Sequence, residues 1–178
     1  TAILFQISLA SIGDDIGMIT KIAVDLENLC AHLGYYKALQ ENNINVNEKL
    51  VKYMDEGEDY SMGRGYQLMT ELLESGEKIS AVFAISDSLA IGACRAIHDK
   101  GLQVPEDIAV AGFDGIDIAS YYSPSLTTII QPMEAIAKEA TQILFNVIRD
   151  KSMHTRKFFE GELAVRESTE NNKENSAD

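Results

Sequence analysis

The chain has 178 residues, of which 46% are hydrophobic. That is enough for one α/β domain, or for two lobes of which one is incomplete. The formal net charge of −13 argues against this segment gripping a phosphate backbone, which takes clustered Lys and Arg. The acidity reads instead as a solubility feature. No apolar run is long enough to span a bilayer, and no basic leader precedes an apolar segment. The chain opens on Thr1, so a fragment or a processed product is expected. Cys30 and Cys94 lack a CxxC partner and are expected as small buried hydrophobes in a reducing compartment.

In chain order, strands and helices alternate. Ile16-Gly17-Met18-Ile19 has the length and flanks of a buried strand. Residues 26–40 follow with Leu26, Leu29, Leu33 and Tyr36 at helical spacing, and residues 49–53 suit a strand. Tyr66, Met69 and Leu73 mark one face of a helix over 63–73, with Gly76 as its stop. Ala81-Val82-Phe83-Ala84-Ile85 is a buried strand, after which Asp87 is expected to cap a helix that ends at Gly101. A turn at Pro105-Glu106-Asp107 leads to the apolar strand at 108–112, then to a loop over 114–125 and an extended stretch at 127–130. Pro132 suits the first turn of a helix over 133–149, with Ile136, Ala140, Ile143, Leu144 and Val147 on its expected buried side. Phe158-Phe159 and Leu163-Ala164-Val165 read as short final strands. The polar stretch 167–178 reads as disordered.

Strands that are apolar on both faces, separated by amphipathic helices, imply a doubly wound, mostly parallel α/β sheet. Ligands of such sheets bind beyond the carboxyl ends of the strands. That rule selects the loop around Tyr60, the Ser86-Asp87 step and the segment from Asp114 to Asp117.

Asp114 directly follows a strand. Its carboxylate accepts hydrogen bonds from ligand hydroxyls or amines, or serves as a turn residue, and spacing alone leaves both open. Tyr60 follows an acidic run at 55–59. Its ring either stacks on a sugar or base or plugs the sheet edge, while the acidic run reads as solvated surface. Asp87 needs no ligand, since Asp is a good N-cap. Enzyme readings are weak. No G-x-S-x-G elbow surrounds Ser86, and His98 lies a few turns down the same helix. Asp87, Asp114 and Asp117 offer oxygens for Mg²⁺ in principle, so a metal-dependent hydrolase is the least favoured reading. The chain has no phosphate-cradling loop, and His32, His98 and His154 lack metal-ligand spacing. No metal and no cofactor is expected.

An ordered set of phrases covers most of residues 16–169. These are Leu33-Gly34-Tyr35-Tyr36-Lys37-Ala38-Leu39, Ala81-Val82-Phe83-Ala84-Ile85-Ser86-Asp87-Ser88-Leu89-Ala90-Ile91-Gly92-Ala93, Val104-Pro105-Glu106-Asp107-Ile108-Ala109-Val110-Ala111-Gly112-Phe113-Asp114, Leu126-Thr127-Thr128-Ile129-Ile130-Gln131-Pro132 and Val165-Arg166-Glu167-Ser168-Thr169. In this order they resemble the effector-binding domain of LacI/GalR-type transcriptional regulators, whose fold is that of type I periplasmic binding proteins. The resemblance implies two lobes with an effector in the cleft between them. Residues 1–129 and 160–169 would form the C-terminal lobe, 130–159 a strand and helix of the N-terminal lobe, and 170–178 a tail. By position it assigns Asp114, Tyr60, Ser86 and Gln131 to the effector, with Asp87 capping the following helix. Departures stand at Ala31, where the family has a cleft-facing arginine, and at Ser11-Ile12-Gly13-Asp14-Asp15, where its usual Gly-His is absent.

The function so implied is an effector-binding and dimerisation module of a cytoplasmic transcription regulator. Ligand-driven closure would change the spacing of DNA-binding heads. The alternative is a type I solute-binding protein for a sugar. The resemblance also implies a homodimer through Leu89, Ile97, Tyr121 and Tyr122. Operator contact would come only through a helix-turn-helix outside this chain. A guanidinium fork cannot be made from Ala31, so a neutral sugar or nucleoside is the expected effector.

Overall fold

The computed structural model of the chain describes residues 16–21, 26–54, 59–149 and 157–170. The readings made above at residues 11–15, 55–58 and 171–178 and at His154 lie outside them, as do the side chains of residues 26–32, Cys30 and Ala31 included. Among the described residues the strands are β1 (Ile16–Lys21), β2 (Val51–Met54), β3 (Ala81–Ala84), β4 (Ala109–Asp114), β5 (Thr127–Ile130) and β6 (Glu162–Ala164). They form one sheet in the order β2-β1-β3-β4-β5-β6. Neighbours are parallel except for β6, which runs antiparallel to β5. The helices are α1 (Leu26–Glu41), α2 (Met62–Glu74), α3 (Asp87–Asp99), the short α4 (Ile118–Tyr121) and α5 (Met133–Arg149).

Every residue of β3 is buried, as a central strand covered on both faces requires. The first four residues of β4 are buried and the last two only partly so, so β4 carries the chain from the core to the rim. From β1 the chain steps out to β2, then back past β1 to β3 and β4. Right-handed crossovers on such an order place α1 on one face and α2 and α3 on the other. The mostly parallel α/β sheet expected from the sequence is therefore the architecture found.

The packing of α2 on α3 sets the positions of the strand ends. Leu68, Met69 and Leu72 of α2 face Leu89, Ala93 and Ile97 of α3 within one buried cluster. Each large apolar side chain so buried stabilises the fold by about 1.5–3 kcal/mol. The two helices meet backbone to backbone. A Cβ at Gly65 would overlap the Leu89 main chain, and one at Gly92 would overlap the Met62 carbonyl.

Several expectations need correction. β2 begins later than expected because Asn47 accepts the Lys49 N–H at 3.1 Å and winds Glu48–Leu50 into a 3-10 turn. Phe158 and Phe159 are not a strand, and Phe158 is fully 82% exposed. The stretch 167–169 is docked, not loose. The Ser168 hydroxyl donates to the Val110 carbonyl at 2.6 Å and accepts the Thr127 N–H at 2.8 Å. Ile130 pairs with both Asp114 and Glu162, so it belongs to this sheet and not to a second one. The expected buried side of α5 is not buried. No residue of α5 is, and Leu144, Phe145 and Ile148 are exposed.

Candidate functional site

The carboxyl ends of β3, β4 and β5 carry Ser86, Asp114 and Gln131 onto one rim. Gln131 Nε2 donates to Asp114 Oδ1 at 2.9 Å, and the Gln131 main-chain N–H donates to the Asp114 carbonyl at 3.2 Å. Asp114 and Gln131 are both half-buried. Asp114 has φ 129°, a conformation that side-chain-bearing residues rarely adopt and that is concentrated at functional sites. A carboxylate held this way can accept hydrogen bonds from hydroxyls or amines arriving over the rim.

The capping role expected of Asp87 falls to Ser86. Ser86 is the N-cap of α3, its side chain accepting the Leu89 N–H at 3.2 Å. It is 6% exposed, so it faces the rim with little surface. Asp87 is fully buried. Its Oδ2 accepts the N–H groups of Gly115 and Ile116 at 2.8 and 2.9 Å, and its Oδ1 accepts the Thr128 hydroxyl at 2.5 Å. The physical reason is room: Gly112 has no Cβ, and one added there would overlap the Asp87 carboxylate. These donors occupy Asp87, so it is not the oxygen ligand of Mg²⁺ that the sequence offered. Among the described residues no cluster of His, Cys, Asp or Glu is arranged to hold a metal ion. The sequence signal that was missed is Gly112, the one residue of β4 without a Cβ.

Tyr60 lies just before Ser61, the N-cap of α2, and is 41% exposed. The first turns of α2, which follow it, pack against α3, with Met62 meeting Gly92 and Gly65 meeting Leu89. The residues assigned to a dimer contact separate into two groups. Leu89 and Ile97 are 0% exposed; they lie inside the core beneath α2 and cannot reach a partner, which corrects their assignment. Tyr121 is 86% exposed. Tyr122 lines a cleft of about 370 Å³ with Arg95, His98, Val104 and Pro124. Burial pushes the Tyr122 hydroxyl above its ordinary value. At the same surface a hydrogen bond from Arg95 holds Asp99 below the usual carboxylate range.

The profile of the periplasmic binding protein-like domain matches residues 14–169. The chain belongs to that family. The HTH-type transcriptional regulator MalR of Clostridium butyricum is 41% identical over 135 residues, 76% of this chain and 39% of that protein. A sugar-binding transcriptional regulator of the LacI family from Escherichia coli, solved with phosphate, matches with a TM-score of 0.74 and 33% identity. The match covers 87% of this chain and 54% of that one. The Lac repressor dimer bound to operator and the anti-inducer ONPF matches with a TM-score of 0.76 and 26% identity, over 88% of this chain and 46% of that one. The resemblance to the LacI/GalR effector-binding domain therefore holds: the matched domain is periplasmic binding protein-like, and these relatives are transcriptional regulators. The chain spans about two fifths of the length of the curated relatives it matches. No helix among the described residues is long and apolar enough to cross a membrane.

Proposed function

We propose that this domain is the effector-sensing and dimerisation part of a cytoplasmic, DNA-binding transcription regulator, and that its effector is a neutral sugar or nucleoside. The observation that carries the reading is the Asp114 carboxylate, fixed by Gln131 at the carboxyl end of β4. A fixed acceptor beside a strand end suits ligand hydroxyls. A phosphorylated effector would bring its charge toward Asp114 without the guanidinium that Ala31 replaces. The exposed Tyr60 ring suits a stacking platform for a sugar or a nucleoside.

The exposed apolar face of α5 supports the assignment of this helix to a second lobe, most of which lies outside this chain. The solvent-facing Tyr121 beside the Tyr122 cleft supports a two-fold contact on that side, and the Lac repressor that this chain resembles is a dimer. With a net charge of −13, this chain does not hold DNA itself, and operator contact belongs to a separate segment.

Calorimetry on the full-length protein tests the effector class, using neutral disaccharides, nucleosides and sugar phosphates, each repeated with Asp114→Ala. Binding of a neutral ligand that is measurably weakened in the variant is expected. Tight binding of a sugar phosphate that is indifferent to Asp114→Ala overturns both the ligand class and the role of Asp114. Sedimentation of Tyr121→Ser is expected to show weaker self-association than the parent protein.

A further inference from the structure

We propose that Asp87 is a positioning residue: its buried carboxylate holds Asp114 in the conformation that receives the effector, without touching the effector itself. The inference deepens, and rests on, the reading of the Asp114 rim as an effector site.

Three observations converge on it. Asp114 has φ 129°, which is unfavourable for a residue with a Cβ unless the surrounding chain imposes it. The two main-chain N–H groups that follow Asp114, on Gly115 and Ile116, both point to Asp87 Oδ2 at 2.8 and 2.9 Å. Asp87 Oδ1 is in turn fixed by the Thr128 hydroxyl at 2.5 Å. Thr128 pairs with Gly112, two residues before the pairing of Ile130 with Asp114. One carboxylate thus ties together the ends of β3, β4 and β5. Gln131 holds the carbonyl and the carboxylate of Asp114. The peptide unit that follows the strained residue is thus held at both its N–H and its carbonyl, and Asp87 is the pin that the ligand cannot reach, being fully buried.

Helix capping does not account for Asp87, because Ser86 already caps α3. Nor does filling space: an apolar side chain of similar size would leave two half-buried N–H groups and a buried hydroxyl without this acceptor. An acceptor is required at this point, and a charged one binds main-chain N–H groups more strongly than a neutral one.

The test uses the full-length protein in two arms. The first arm needs no ligand. In selectively labelled protein, the three-bond HN–Hα coupling of Asp114 is expected to be small, as its positive φ dictates. In Asp87→Ala it should rise toward that of an extended residue, and amide exchange at Gly115 and Ile116 should quicken about tenfold or more, the loss expected for one hydrogen bond to a charged group. Exchange in β3 should stay at the parent rate. Asp87→Asn, which keeps one oxygen for the two N–H groups, should restore most of the protection. If Asp87→Ala fails to fold, Thr128→Val, which removes one donor to the same carboxylate, serves with the same readouts. An unchanged Asp114 coupling and unchanged exchange overturn the proposal.

The second arm is a double-variant cycle with maltose as the probe. Asp87→Ala should weaken binding about tenfold or more, and Asp87→Ala combined with Asp114→Ala should bind no worse than Asp114→Ala alone. Additive losses overturn the proposal, because they would show that Asp87 acts on stability and not through Asp114. If maltose does not bind the parent protein and the first arm succeeds, the neutral disaccharide fails as effector while the positioning of Asp114 by Asp87 stands.

Discussion

Gln131 contacts Asp114 twice: its side-chain amide donates to the carboxylate at 2.9 Å and its main-chain N–H donates to the carbonyl at 3.2 Å. Replacing the side chain leaves the main-chain contact in place, so the fold should tolerate the change while the carboxylate loses its fixed direction. Gln131→Ala is expected to lower effector affinity about tenfold, as for a lost hydrogen bond to a charged group. Urea unfolding should show a stability change within about 1 kcal/mol, typical of a half-exposed site. Parent affinity measured by calorimetry on the variant would mean that Gln131 does not orient Asp114.

The contact between α2 and α3 gives a sharper stability test. At Gly92 an added Cβ meets main-chain atoms of Met62 and Tyr66, which cannot rotate away as a side chain would. Gly92→Ala is expected to destabilise by about 3 kcal/mol, the upper part of the overpacking range. Gly63→Ala is the control. Its nearest neighbour is the Ser61 hydroxyl at 3.9 Å, and alanine favours a helix by up to about 1 kcal/mol. Equal midpoints for the two variants in denaturant would show that the helices are not packed backbone to backbone.

The buried strands were legible in the sequence because a parallel strand covered on both faces leaves an unbroken apolar run, as in Ala81-Val82-Phe83-Ala84. The place of Asp114 at a strand end was legible because it directly follows such a run, whereas Gln131 was reached only through the family resemblance. The work of Asp87 was not. A Ser-Asp pair before a helix offers two capping residues, and only the hole left by Gly112 decides which one turns inward. The docking of Ser168 was hidden for a similar reason: its partners, Val110 and Thr127, are remote in sequence. Leu89 and Ile97 were misassigned to a surface because apolar spacing on α3 says which side is buried, not whether the cover is α2 or a second subunit.

Glu167 gives a pH signature. The main-chain N–H and the hydroxyl of Ser125 donate to it at 2.8 and 3.0 Å, and these bonds hold its carboxyl below the ordinary 4.5. A carboxyl whose folded value is depressed contributes stability above the unfolded value, and that contribution is lost as pH falls through the folded one. Glu167→Gln is therefore expected to melt below the parent at pH 7. The gap should narrow as pH drops under 4.5. A gap of constant size in thermal melts across that window would show that charge on Glu167 plays no part.

Cys94 is 3% exposed, and burial pushes its thiol up to about 12. The thiolate is the reactive form, so native protein at pH 8 should resist iodoacetamide at this position. Peptide mass spectrometry is expected to find the Cys94 peptide modified only in denaturant. Rapid labelling in buffer would mean that α3 opens locally on the timescale of the reaction.

The last residue of β5, Ile130, lies directly across from the first residue of β6, Glu162. The polypeptide therefore leaves the sheet and re-enters it at adjacent points, with the whole of α5 as the excursion between them. A protein engineer could excise residues 131–161 and close the gap with a tight hairpin turn, since antiparallel neighbours can be joined by as few as two residues. The product would shed the apolar surface of Leu144, Phe145 and Ile148 together with Gln131. It would be a minimal scaffold in which the sheet can be studied apart from ligand recognition.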